Sequence, residues 1–147
     1  MISCAIEPVE YDELLAYMSF QAIEAFPTLR SEETLLNFVN KLFENAEFCI
    51  CRNDGVLVGM LAFYANGRGA DFAYLSHGYV SPEFRKMGLF TRMVFTVADY
   101  VKPKGFSLIR LEVRDDNLIA YNAYKRIGFI DEGRASNDSH YMNYRLK

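Results

Sequence analysis

Apolar residues recur along this chain with two different periods. Leu35, Phe38, Val39, Leu42 and Phe43 keep three- and four-residue spacing, and so do Leu89, Phe90, Met93, Val94, Val97, Ala98 and Val101. That spacing turns one face of a helix toward a core. Leu14, Leu15, Met18 and Ile23 form a similar stripe, predicting a helix from Tyr11 to Ala25 that Pro27 interrupts. Ser31 precedes Glu32-Glu33-Thr34, an N-cap followed by two acids in a first turn. Short apolar runs between the helices read as strands: Ile2 to Glu7, Glu47 to Arg52, Val56 to Ala65, Ala70 to Val80 and Leu108 to Val113.

Turn chemistry orders these strands. Asn53-Asp54-Gly55 joins two of them as a hairpin, and Asn66-Gly67-Arg68-Gly69 carries the chain into a third antiparallel strand. Gly78 lies inside that third strand, which suggests a bulge or a close backbone approach. Pro103 and Gly105 stop the helix that begins at Gly88, and the following strand can return parallel to the one before it. Asp115-Asp116-Asn117 opens a helix from Leu118 to Ile127, with Lys125 and Arg126 in its last turn and Gly128 after it. Phe129 to Glu132 and His140 to Leu146 read as two closing strands around a polar loop, Gly133 to Ser139. The expected architecture is one α/β domain over residues 1–147. It has a mixed, mostly antiparallel sheet of six to seven strands flanked by about four helices.

Composition narrows the function classes. A chain of 147 residues, 51% hydrophobic, can bury a sizeable core. No apolar run reaches the roughly 18 residues of a membrane helix, and the start shows no basic region followed by an apolar one. A net charge of −3 argues against general nucleic-acid binding. Cys49 and Cys51, two apart on one strand face, are a poor disulfide pair, and three cysteines fit a reduced compartment, so the expected setting is the cytoplasm. His77 and His140 are the two histidines, and no zinc pattern appears, so no metal is expected.

Two stretches carry chemistry. In the first, Val80-Ser81-Pro82-Glu83-Phe84-Arg85-Lys86-Met87-Gly88-Leu89-Phe90, a strand feeds a basic, glycine-bearing loop that opens a helix. The first N–H groups of a helix lack internal partners and favour negative charge, so such a loop can hold a phosphate. In the second, Val113, Asn117, Ala120, Tyr124, Gly128 and Phe129 are fixed points on one strand–helix unit. Asn117, Ala120 and Tyr124 follow at spacings of three and four, so they share a helix face.

Together these motifs resemble the GCN5-related N-acetyltransferases, the GNAT superfamily, most strongly from Ala73 to Phe129. The resemblance implies that Arg85, Lys86, Met87, Gly88 and Leu89 face the pyrophosphate of acetyl-coenzyme A, with Thr91 adding a hydroxyl. Phe90 stands where the family prefers a small residue. It either points into the core or shifts the cofactor. Tyr79 and Val80 occupy the strand end that pairs with the pantetheine arm, Asn117 matches a pantetheine contact, and Tyr124 matches the tyrosine near the thioester sulfur. The implied reaction is acetyl transfer to a primary amine of a small molecule or peptide, with Tyr124 as general acid. His77 is a candidate base or a half-buried strand histidine, and Asp71 and Glu112 are further carboxylate candidates. A non-catalytic acyl-coenzyme A sensor on the same fold is the alternative. The acceptor side is expected around Phe20, Phe26 and Arg30, and a C-terminal edge strand could pair with a second copy to form a homodimer.

Overall fold

The computed structural model describes residues 1–22, 31–65 and 71–147. Phe26, Pro27, Arg30 and the turn at Asn66-Gly67-Arg68-Gly69 therefore lie outside the described residues. Seven strands form one mixed sheet in the order β1-β2-β3-β4-β5-β7-β6. They are β1 (Ile2–Ile6), β2 (Glu47–Asn53), β3 (Val56–Tyr64), β4 (Phe72–Val80), β5 (Leu108–Arg114), β6 (Ile130–Ser136) and β7 (Ser139–Arg145). Among the described residues four α-helices accompany them: α1 (Tyr11–Tyr17), α2 (Glu32–Asn45), α3 (Leu89–Val101) and α4 (Leu118–Ile127). The chain packs as two compact units, residues 1–63 with 77–97 and residues 64–76 with 98–147.

In the first unit, α1 passes into a π-helical turn, Met18–Ala22, instead of continuing as α-helix. Leu14, Tyr17 and Met18 are buried all the same, because three- and four-residue spacing keeps one face inward. Ser31 caps α2, its hydroxyl accepting the Thr34 N–H at 3.1 Å. Leu35, Val39 and Leu42 are buried, whereas Phe43 is exposed and sets its ring edge-on to Tyr11. The predicted hairpin is formed: Asn53 pairs with Val56, and Asp54 and Gly55 both take positive φ. Residues 57–63 of β3 are buried without interruption, as in a strand covered on both faces.

The cysteines depart from expectation. Cys4 on β1 stands directly opposite Cys51 on β2, and their sulfurs are bonded. Cys49 is the free one, buried, with its thiol pushed up to about 12 by burial. The odd count is therefore no sign of a reduced compartment, because it leaves a pair and one remainder. The partner was hidden in the strand register, a non-local property.

Gly78 on β4 has a packing reason. A Cβ there would meet Phe90 Cε1 at 2.7 Å and Leu61 Cδ1 at 3.1 Å. The close approach expected of this glycine is to the Phe90 ring, which points at the sheet. Gly78→Ala is expected to cost about 1–3 kcal/mol by forcing that ring aside. Adding Phe90→Leu should recover part of the loss in chemical denaturation, and an unperturbed single mutant would exclude this packing.

In the second unit, β4 and β5 run parallel, with Ala73 opposite Ile109. The sixth strand is longer than expected, and the seventh is shifted by one residue. β6 and β7 extend through the predicted polar loop to a turn at Asn137-Asp138. The C-terminal strand β7 lies between β5 and β6, so β6 and not β7 is the edge. That corrects the edge position on which pairing with a second copy rested.

Candidate active site

The basic loop begins where β4 ends. Pro82–Phe84 forms one 3-10 turn, Arg85 is extended, and Lys86 and Gly88 take φ of 64° and 75°. Left-handed steps in a short loop can turn successive N–H groups to one side, the arrangement that forms anion-binding concavities. A lysine in that conformation is uncommon and marks a site where the loop shape is over-determined. Gly88 carries its step without steric cost, and its carbonyl accepts the Arg92 N–H at 3.0 Å, which makes it the cap of α3. The first turn of α3, which includes Leu89, Phe90 and Thr91, contains no acidic residue to neutralise the positive end of the helix. Met87 is 57% exposed, so the loop is open to a ligand. These features fit a pyrophosphate. The Phe90 ring, packed toward Gly78, leaves its backbone at the helix start.

The strand end beside the loop is held from several sides. Arg85 Nε donates to the Val80 carbonyl at 3.0 Å, and its guanidinium lies over the Tyr79 ring. Tyr17 on α1 donates from its hydroxyl to the Tyr79 carbonyl at 3.4 Å and lies 3.2 Å from Ser81 Oγ. Burial pushes the Tyr17 phenol up to about 12. No local pattern pointed to Tyr17, because its partners lie more than sixty positions along the chain.

His77, two residues earlier on β4, is 4% exposed and sits edge-on to Phe38 of α2. Burial lowers its pKa to about 4, since the charged ring would lose its water. It is neutral at physiological pH and a weak proton acceptor.

The second motif belongs to the second unit. Asn117 caps α4, its Oδ1 accepting the Ala120 N–H at 3.2 Å. At the other end Gly128, φ +127°, stops the helix, and the N–H groups of Gly128 and Phe129 both reach the Tyr124 carbonyl. Tyr124 packs its ring on Phe129, which packs on Tyr144. Burial raises the Tyr124 phenol above its ordinary value, so it stays protonated and able to donate.

A cleft of about 310 Å³ adjoins the start of α4. His140 of β7 places Nε2 2.8 Å from Asp115 and Nδ1 3.3 Å from Asp131, while Arg134 binds Asp115 at 2.6 Å. Tyr121 donates to Asp131 at 2.9 Å. The cluster ties the loop leading to Asn117 to the β6–β7 hairpin. Its members are scattered in sequence, and only the hairpin register brings them together. Asp71 is exposed, and Glu112 is exposed and accepts from Ser139 Oγ at 2.6 Å. Phe20 is 79% exposed on the π-helical turn. Among the described residues, no group of three or more His, Cys, Asp or Glu could hold a metal ion. No helix among them is long and apolar enough to cross a membrane.

A curated relative named "Probable N-acetyltransferase camello" from Xenopus tropicalis is 30% identical over 86 residues, 58% of this chain and 39% of that protein. The thialysine N-epsilon-acetyltransferase of Bos taurus is 37% identical over 68 residues, 46% of this chain and 39% of that protein. The chain thus spans about two fifths of the length of these relatives. The PaiA N-acetyltransferase of Thermoplasma acidophilum, solved in complex with coenzyme A, shares the fold. It has a TM-score of 0.76 at 19% identity, covering 97% of this chain and 99% of that one. The family model described as Acetyltransferase (GNAT) family matches residues 11–129, and the chain belongs to that family.

Proposed function

We propose that this chain transfers an acetyl group from acetyl-coenzyme A to a primary amine of a small molecule or peptide, acting as one domain. The observation that carries the reading is the loop from Arg85 to Thr91. It combines two left-handed residues with the acid-free start of α3. The relatives named N-acetyltransferases and the coenzyme A complex of PaiA support it.

In this reading the backbone N–H groups from Lys86 to Thr91 receive the pyrophosphate, joined by the Lys86 charge and the Thr91 hydroxyl. The main chain of Tyr79 and Val80 pairs with the pantetheine arm, and Asn117 contacts the same arm. The neutral amine attacks the thioester carbonyl, forming a C–N bond as the C–S bond breaks. A backbone N–H near Tyr79 or Val80 stabilises the developing oxyanion. Tyr124 gives its proton to the departing thiolate, and the amine's proton leaves to a base. His77 is the proposed base, available at any pH above about 4 but with little driving force. Holding both reactants in place supplies much of the rate.

Thiol release from acetyl-coenzyme A across a panel of amines tests the reading. Amine-dependent release with a matching acetylated product supports it. Coenzyme A binding with no turnover on any amine would instead identify a non-catalytic acyl-coenzyme A sensor, and no binding would exclude both.

A further inference from the structure

A basic residue in a phosphate-binding loop is expected to aim its charge at the anion, but Arg85 is turned the other way. Its Nε donates to the Val80 carbonyl at 3.0 Å, and its guanidinium carbon lies 5.2 Å from the centre of the Tyr79 ring. Val80 is the last residue of β4, and Arg85 is the first residue after the 3-10 turn. The bond therefore closes the base of the loop across five positions. Within it, Phe84 N–H donates to the Ser81 carbonyl at 2.9 Å and Arg85 N–H to the Pro82 carbonyl at 3.4 Å. The entry to the loop is fixed as well. Ser81 N–H reaches the Val58 carbonyl at 2.9 Å, and Ser81 Oγ meets the Tyr17 hydroxyl at 3.2 Å. Arg85 is the matching fastening at the exit, immediately before the left-handed step at Lys86.

We propose that Arg85 is a positioning residue that acts through its Nε donor and not through its charge: by holding the Val80 carbonyl it sets the direction in which the N–H groups from Lys86 to Thr91 are presented. This rests on the reading of acetyl-coenzyme A as substrate. Side-chain chemistry separates the donor from the charge. Glutamine carries an N–H donor at the same number of bonds from Cα as arginine Nε, and no charge. Lysine keeps the charge, but its ε atom is carbon and its only donor lies one bond further out.

The test uses the full chain and coenzyme A titrated calorimetrically at fixed salt, with Arg85→Gln, Arg85→Lys and Arg85→Met. Thermal melts check that each variant folds. Arg85→Gln should bind within about twofold of the parent, while Arg85→Lys and Arg85→Met should bind about tenfold more weakly, the worth of one hydrogen bond. KM for acetyl-coenzyme A should rise in the latter two with kcat little changed. Retention by lysine with loss in glutamine would show that charge does the work and overturn the proposal, as would equal affinity in all variants. A second measurement needs no ligand. The Arg85 Nε–H resonance of the parent should exchange slowly with water, and rapid exchange would overturn the hydrogen bond itself. If the parent binds no coenzyme A, the substrate reading fails and takes this role with it. The protected Nε–H would then stand as a purely structural contact.

Discussion

Tyr124→Phe is expected to lower kcat by roughly a hundredfold while leaving KM for acetyl-coenzyme A nearly unchanged. The cap of α4 sets the position of the phenol. Gly128, in a conformation that disfavours other residues, ends the helix one turn after Tyr124 and sends Phe129 back beneath it. The Tyr124–Phe129–Tyr144 ring series then fixes the phenol. A phenylalanine keeps those ring contacts and removes the hydroxyl group. Burial raises the phenol above its usual range, so the proposed acid stays loaded at the alkaline pH where an amine acceptor is neutral. In the parent, the pH–rate profile should hold its plateau beyond pH 10. In Tyr124→Phe the rate should be low at every pH. Parent-like turnover throughout would remove Tyr124 from the reaction.

The second large effect is acid instability centred on His77. Burial lowers its folded-state pKa from 6.5 to about 4. Above pH 6.5 the ring is neutral in both the folded and unfolded chain, so its full contribution is present. As pH falls from 6.5 toward 4, the unfolded chain takes up a proton that the folded chain refuses, and stability is lost. The loss approaches roughly 3 kcal/mol, a large part of the 5–15 kcal/mol typical of a domain. Below pH 4 both states are protonated and this contribution has been lost. Urea unfolding of the parent and of His77→Phe at pH 7.5 and 4.5 isolates the effect from carboxylate titration. The parent should lose about 2–3 kcal/mol more than the variant between the two pH values. Equal losses would mean that the imidazole protonates without resistance from its surroundings.

What could be read from sequence follows a physical division. The elements were legible where local chemistry decides them. Examples are the Ser31 cap, the left-handed Asp54-Gly55 turn, and α4 with Asn117 at one end and Gly128 at the other. The two motifs were legible for the same reason, since each lies on one strand–loop–helix passage. Non-local pairing was not. Cys4 found Cys51 through a register that only a folded sheet fixes. Tyr17 reached Tyr79 and Ser81 across the chain, and His140 met Asp115 and Asp131 through the β6–β7 hairpin. Side-chain direction was also illegible. A composition of charges in a loop cannot say that Arg85 turns back onto Val80, or that Phe90 fills the space left by Gly78.

The loop from Arg85 to Thr91 is proposed to hold the pyrophosphate of acetyl-coenzyme A. Comparing the affinity of acetyl-coenzyme A with that of acetylpantetheine, which carries the same thioester and arm but lacks the pyrophosphate together with the 3′-phosphoadenosine beyond it, tests this role. With two or more backbone N–H groups on the charged oxygens, acetyl-coenzyme A should bind at least about a hundredfold more tightly. Equal affinity for the two, or no measurable binding of acetyl-coenzyme A, would exclude that role for the loop.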